Sequence, residues 1–561
     1  PGMVPEAAGR SVRRYRHRQG LVTWTAALIA GLFALPVLTV FSQIFLPAQT
    51  EGLWAHLLST VLPSYLWNTL WLVLIVGAGV LVIGTTTAWL VTMCRFPGRR
   101  IFEWALTLPL AVPAYVMAYT YTDFLQFTGP VQTGLRAIFG WGPREYWFPN
   151  VHSVEGAGLM LMLVLYPYVY LLARAAFLEQ SVCALEVSRT LGCNAWSSFL
   201  RVALPLARPA IFGGALLAVM ETLADFGTVS YFGVKTFTTG IYRAWFSMGD
   251  QTVAAQLSAA LLTFALLVLV LERRTRGERR FHQATNRYQE LPGYRLGPWR
   301  GLLAFFACGL PLLLGFLLPA GILLRLSLLQ GDAQFGARYL ELAGNSFLLA
   351  AVTAILAVIL AIVIAYGARV RPTRLGIFAG RIAGLGYAVP GSVIAVGVML
   401  PFALFDRTLD AWMRETFGLS TGLLLTGGIT ALIFAYLVRF LAVSLQSVEA
   451  GLGKIRPSME DAARSLGRTP AQTLLQVHAP LMWGSLLTAG LIVFVDVMKE
   501  LPATLMMRPF NFDTLAVQAY NLAADERLAE AATPALVIVA VGLLPVLLLS
   551  YGIARSRAGH G

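Results

Sequence analysis

Two apolar stretches of this sequence carry carboxylates four residues apart. METLADFGTVSYF, from 220, holds Glu221 and Asp225; VFVDVMKELPATL, from 493, holds Asp496 and Glu500, with Lys499 between them. Acids in such surroundings are costly and normally face a bundle interior or a wet cavity. Their oxygens suit hard cations, so lining or gating a passage is one expectation and direct metal ligation another. Lys499 stands three residues from Asp496, which fits an ion pair between helix neighbours instead, and acids near an outer membrane rim can simply meet headgroups. At 1.5 Å per residue Glu221 lies roughly 24 Å beyond Pro205 along a continuous helix, near the far end of its apolar run.

A second polar feature is written twice. CALEVSRTLGCNAWSSFLRVALPL begins at 183 and SMEDAARSLGRTPAQTLLQVHAPL at 458. Each sets a Leu-Gly pair thirteen residues before a proline, Pro205 or Pro480. In the second copy Ser458 precedes Asp461 by three residues, a capping-box-like helix start. Ala462 and Ala463 offer a smooth helix-favouring face, and Gly467 is placed to end the helix. The first copy has Glu186, Val187 and Ser188 at those positions and Gly192 at the end, without the cap. Short helices with small side chains, each ended by glycine, suit insertion into grooves of a soluble partner. Two copies imply a partner with two grooves.

The elements that must hold these residues are membrane helices. The chain has 561 residues, 57% hydrophobic and 12% charged, where soluble proteins carry about 25% charged residues. Twelve apolar segments are long enough to span a bilayer. They fall near 21–46, 67–93, 102–125, 156–178, 204–227, 253–271, 301–328, 345–368, 380–405, 420–446, 479–505 and 534–553. The segments are too long for the alternating strands of a β-barrel, so an all-α polytopic membrane protein is expected. The first segment exceeds the apolar region of a cleavable leader, so a retained span is expected there.

Net charge is +14, and its placement speaks for topology rather than nucleic-acid binding. Basic runs at 9–19, 94–100, 272–280 and 369–374 mark the N-terminus and alternate loops, which puts both termini in the cytoplasm. An even number of spans agrees.

The spans form two copies of one unit. At an offset of 275, Arg189 meets Arg464, Gly192 meets Gly467, Pro205 meets Pro480, Glu221 meets Asp496 and Asp225 meets Glu500. That register extends to Phe237 with Phe512 and Thr239 with Thr514. Earlier in each half the offset is 277, matching Asn68 with Asn345 and Pro113 with Pro390. Six spans per half leave both halves facing the same way, as parallel repeats. The expected division is a basic N-terminus (1–20), a first repeat (21–271, polar loop 179–203), a linker (272–299), a second repeat (300–554, polar loop 447–478) and a short C-terminal tail (555–561).

Glu186 to Gly192 and Asp461 to Gly467, each with its proline thirteen residues on, resemble the EAA loops of binding-protein-dependent ABC importer permeases. Stretches 220–246 and 493–520 resemble the fused two-half permeases of ferric-iron importers. The resemblance implies the type I ABC importer permease fold in a bacterial inner membrane. Its loops form coupling helices that dock in a cytoplasmic ATPase dimer, and a periplasmic iron-binding protein delivers iron(III), which crosses between the halves. ATP and Mg would be bound by the partner subunits, with no cofactor and no catalytic residue in this chain. Asp461 replaces the family's Glu. No GxxxxGK[ST] phosphate loop occurs in the 561 residues, so the motor is expected on another polypeptide. Permeases for thiamine, sulfate, polyamines or phosphonate share the architecture, and an ion-coupled secondary transporter also has repeats and buried acids, though no need for docking helices.

Other features have plainer expectations. His478 is expected to pack, and Arg174 and Arg439 to act as interface anchors. Trp141, Tyr146 and Trp147, with Arg144, suit an aromatic belt at the membrane surface or a docking patch. Cys94, Cys183, Cys193 and Cys308 show neither metal-ligand nor disulfide spacing.

Overall fold

The structure is a computed structural model and describes residues 25–47, 53–143, 145–179, 195–276, 294–329, 336–370 and 373–555. It is helical throughout, as expected where a backbone without water must satisfy its own hydrogen bonds. Ten helices are long and apolar enough to cross a membrane, and two bent pairs bring the number to as many as twelve. In order, these spans are Thr25–Phe45, Leu62–Met93, the pair Arg99–Ala111 with Ala114–Phe139, Val154–Leu178, Phe199–Ala224, Gln251–Leu271, Pro298–Leu329, Arg338–Val370, Gly391–Phe417, Thr430–Gly453, the pair Pro470–Leu481 with Trp483–Met498, and Leu528–Leu548. Each overlaps one of the twelve expected segments, with some ends shifted by about ten residues or more. Among the described residues the only sheet pairing is a two-residue parallel ladder, Cys94–Arg95 with Tyr294–Arg295.

Breaks in these helices follow the sequence. Pro113 and Pro390, matched by the 277 offset, are each the residue capping the next helix, Ala114–Leu125 or Gly391–Phe417, with ψ of 142° and 143°. Proline is tolerated there because its missing N–H falls where no intrahelical acceptor is needed. The third span bends by 93° at that point. Phe199–Ala203 and Leu474–His478, related by 275, are both π-helical turns. The duplication read in letters thus recurs in helix geometry.

The chain divides into two compact units, and they do not coincide with the sequence halves. One unit comprises residues 48–253, 260–339 and 515–561. Its core is built on the fourth span, where Tyr166, Tyr170 and Phe177 are fully buried, and Tyr170 Oη donates to the Glu103 carbonyl at 2.9 Å. The other unit comprises residues 1–47, 254–259 and 340–514. Here the first span is bound by aromatic contacts, with Phe33 edge-on to Phe434 at 5.6 Å and Phe402 against Phe434 at 5.1 Å. Large apolar side chains such as Leu28, Val82 and Leu328 remain exposed on span surfaces. In a chain of this hydropathy those surfaces face lipid.

Candidate functional site

A helix forms in the second polar loop, as expected, though it starts differently. It runs Pro457–Ser465, with Arg456 as N-cap and Pro457 in the first turn, and no side chain caps it. Ser458 is therefore not the cap; the preset φ of Pro457 fixes the N-cap two residues earlier, at Arg456. The capping box in this region belongs to the next helix, where Thr469 Oγ1 accepts from the Gln472 amide and Gln472 Oε1 accepts from the Thr469 amide. Gly467 closes the docking helix at φ +76°, a left-handed conformation that glycine adopts without strain.

The two faces of this helix differ. Met459, Asp461, Ala462 and Leu466 are exposed, whereas Ala463 is buried. The smooth outward surface is thus Met459, Ala462 and Leu466, and Ala463 belongs to the inner face. Asp461 makes only a surface pair with Arg464, at 3.5 Å. The inner face carries Glu460, which sequence reasoning passed over. Its Oε1 lies 2.5 Å from Arg369 Nε and 3.1 Å from His478 Nε2. His478 is fully buried, with its ring edge-on to Tyr366 at 5.2 Å. It packs, as expected, but it also binds Glu460. Glu186, Val187, Ser188 and Gly192 lie outside the described residues, as do Cys183, Cys193 and Arg144.

The membrane carboxylates separate into two kinds. The fifth span ends at Ala224, and Asp225 stands past it in extended conformation, so Glu221 and Asp225 do not share a helix face. Asp225 Oδ1 accepts from Thr228 Oγ1 at 2.9 Å and Oδ2 from the Val229 amide at 3.1 Å. The eleventh span ends at Met498, and Glu500 repeats the arrangement. Glu500 Oε1 accepts from the Ala503 amide at 3.0 Å, and Oε2 accepts from the Thr504 amide at 3.1 Å and hydroxyl at 2.7 Å. Each acid thereby satisfies N–H groups in the first turn of the short helix that follows, Gly227–Tyr231 or Pro502–Met507. Those N–H groups have no partner within their own helix.

Glu500 also pairs with Arg439 at 3.4 Å, and both side chains are buried. Arg439 is therefore an interior ion-pair partner and not an interface anchor. Arg174, likewise buried, pairs with Glu103 at 3.7 Å. Gly391 fits closely against the Arg439–Glu500 pair: a Cβ there would stand 2.5 Å from Arg439 Nη1 and 2.8 Å from Glu500 Oε1. Asp496 and Lys499 make the expected neighbour pair at 2.9 Å. Glu221 and Asp496, each near the end of its span, stay partly exposed. No cluster of three or more His, Cys, Asp or Glu among the described residues could hold a metal ion.

A further repeat contact corrects the register. Asn68 Nδ2 donates to the Lys235 carbonyl at 2.9 Å, and Asn345 Nδ2 donates to the Asp513 carbonyl at 3.1 Å. These acceptors differ by 278, so Thr236 corresponds to Thr514. The extension of the 275 offset to Phe237 and Thr239 fails, because the second half holds three extra residues before Asp513.

On the outer aromatic cluster, Trp141 stacks on Phe139 at 4.6 Å and on Tyr146 at 5.5 Å, while Trp147 is exposed. Cys94 and Cys308 are free and buried.

Known proteins resemble this chain along most of its length. Residues 80–275 match the family described as binding-protein-dependent transport system inner membrane component. The chain is 28% identical over 536 residues to the Fe(3+)-transport system permease protein FbpB 2 of Haemophilus influenzae, covering 94% of this chain and 97% of that one. It is 25% identical to the ferric transport system permease protein FbpB of Actinobacillus pleuropneumoniae, over 88% of this chain and 72% of that one. The sulfate transport system permease protein CysW of Escherichia coli is 29% identical over 46% of this chain but 90% of its own length, as a single unit set against a fused pair would be. With its helices, its doubled polar loop and these matches taken together, the chain is similar to the multi-pass inner-membrane components of binding-protein-dependent transport systems.

Proposed function

We propose that this chain is the transmembrane subunit of an ATP-driven importer for ferric iron. In this reading a periplasmic binding protein delivers iron(III), and separate cytoplasmic ATPase subunits, which hold ATP and Mg, drive its passage. The observation that carries the coupling is the outward face of the helix Pro457–Ser465, where Met459, Ala462 and the following Leu466 are exposed at helical spacing. Apolar anchors at such spacing fit the groove of a partner. Glu186 to Gly192 supplies the matching segment of the first half. The substrate class is supported by similarity to a named Fe(3+) permease along almost the whole chain. The basic runs support a cytoplasmic position for both termini.

Within the membrane, Asp225 and Glu500 are committed to the helices that follow them, so the acids proposed to meet the cargo are Glu221 and Asp496. On ATP binding the ATPase pair would draw in the docking helices, and these would swing the fifth and eleventh spans, to which each is tied through a π turn and a proline. The test is reconstitution with the ATPase and candidate binding proteins. Hydrolysis stimulated by the iron-loaded binding protein, and not by sulfate- or thiamine-loaded ones, is the expected result. Stimulation by a sulfate- or thiamine-loaded protein alone would overturn the substrate.

A further inference from the structure

Glu460 stands next to the docking acid Asp461 but points the opposite way. Its partner Arg369 occupies the cytoplasmic end of the eighth span and makes two more contacts: Nη1 donates to the Leu452 carbonyl, and Nη2 donates to the Ile455 carbonyl at 2.6 Å. Leu452 lies in the last turn of the tenth span, where carbonyls lack intrahelical donors and a cation is favoured. One turn earlier on the eighth span, Tyr366 Oη donates to the Pro470 carbonyl at 2.8 Å. His478 completes the cluster from the π turn that leads into the eleventh span. One carboxylate thus joins the docking helix to the ends of the eighth and tenth spans and to the start of the eleventh. Arg369 and Glu460 keep 19% and 15% of their side-chain surface exposed, and His478 none.

At the aligned positions the sequence of the first half holds no counterpart. By the 275 offset Glu460 corresponds to Leu185 and His478 to Ala203; Arg369 corresponds to Cys94 at 275 or Thr92 at 277. None of these side chains carries a charge. The described ion pairs of Glu103 in the first half are with Arg99 at 3.5 Å and Arg174 at 3.7 Å.

We propose that Glu460 is a positioning residue that pins the second docking helix to three spans, so that the two docking segments of the chain do unequal work. Motion of the second segment is delivered to its spans as one rigid piece, and the pin stays closed through the cycle. This rests on the importer reading above.

The experiment uses the full chain assembled with its ATPase and binding protein in proteoliposomes, reading iron moved per ATP hydrolysed. Glu460→Ala and Arg369→Met are each expected to lower that ratio about tenfold, with ATPase rate and assembled complex changed less than twofold. The double variant should be no worse than either single, as for residues acting through one contact. His478→Gln, whose amide nitrogen can replace Nε2, should keep the ratio, and His478→Leu should lose part of it. Variants that hold the wild-type ratio, or that lose hydrolysis and transport in parallel, would overturn the pin.

Should the singles fail to assemble, Arg369→Cys with Glu460→Cys, in a background with the four native cysteines replaced by serine, allows a short bis-maleimide to remake the link. Coupling regained on cross-linking supports the pin; a cross-linked complex that cannot transport overturns it. A wild-type complex that moves no iron with ATP would instead sink the importer reading, so the two failures are separable.

Discussion

Replacing Glu500 by Met tests whether this buried acid holds the fold or meets the cargo. The substitution takes the carboxylate from Arg439, which is 7% exposed, and breaking a buried ion pair by removing one partner costs about 3–5 kcal/mol. It also takes the acceptor from the Ala503 and Thr504 amides, at about 1 kcal/mol or more each. Arg439→Met alone leaves the carboxylate with its amide donors but without its cation, at a similar cost of about 3 kcal/mol. In the double variant the ionic part disappears and the unpaired amides remain, so a loss of only about 1–3 kcal/mol is expected. The two substitutions should therefore be strongly non-additive, the double variant losing several kcal/mol less than the sum of the singles. Thermal or denaturant unfolding of the purified protein measures this, and iron uptake per folded complex is measured alongside. The expected result is a double variant more stable than the Glu500→Met single and retaining transport. Additive losses would refute the pairing, and a stable double variant with no transport would move Glu500 onto the cargo path.

Gly391→Ala should cost about 1–3 kcal/mol through overpacking against that same pair, and the loss should shrink in the Arg439→Met, Glu500→Met background. Glu221→Gln with Asp496→Asn is expected to cut uptake while leaving assembly intact; unchanged transport would remove both acids from the mechanism. A cysteine at 462 should cross-link to the ATPase subunit, and one at 463, on the buried face, should not; the reverse pattern would turn the docking helix over. Burial pushes the Cys94 thiol up to about 11 despite the nearby Arg99, so at pH 7.5 a maleimide should modify it only after unfolding, as mass spectrometry would show.

The spans and the short helix of the second polar loop were legible because each depends on local sequence: an apolar run of sufficient length, or a glycine past a helix end. Asp225 was legible as a buried acid but not as a cap, since nothing in METLADFG shows that the helix stops at Ala224. Glu460 escaped notice for another reason. It reads as one more surface charge beside Asp461, and its partners lie 18 and 91 residues away along the chain. A usable hint was its spacing from Ala463, three residues on along the same face. The membership of the two compact units was also illegible, because an offset between repeats records descent and says nothing of which span packs where.

The wide turns at Phe199–Ala203 and Leu474–His478 have a geometric consequence. Such a turn accommodates one residue more than an α-helical turn, and one residue is about 100° of rotation about the helix axis. Each turn therefore takes up one extra residue while the segments before and after it keep their mutual bearing. Deleting Leu475 would let the turn close as an α-helical one with the helix Pro457–Ser465 still aimed as it is, whereas the same deletion from a regular α-helical stretch would swing it by about 100°.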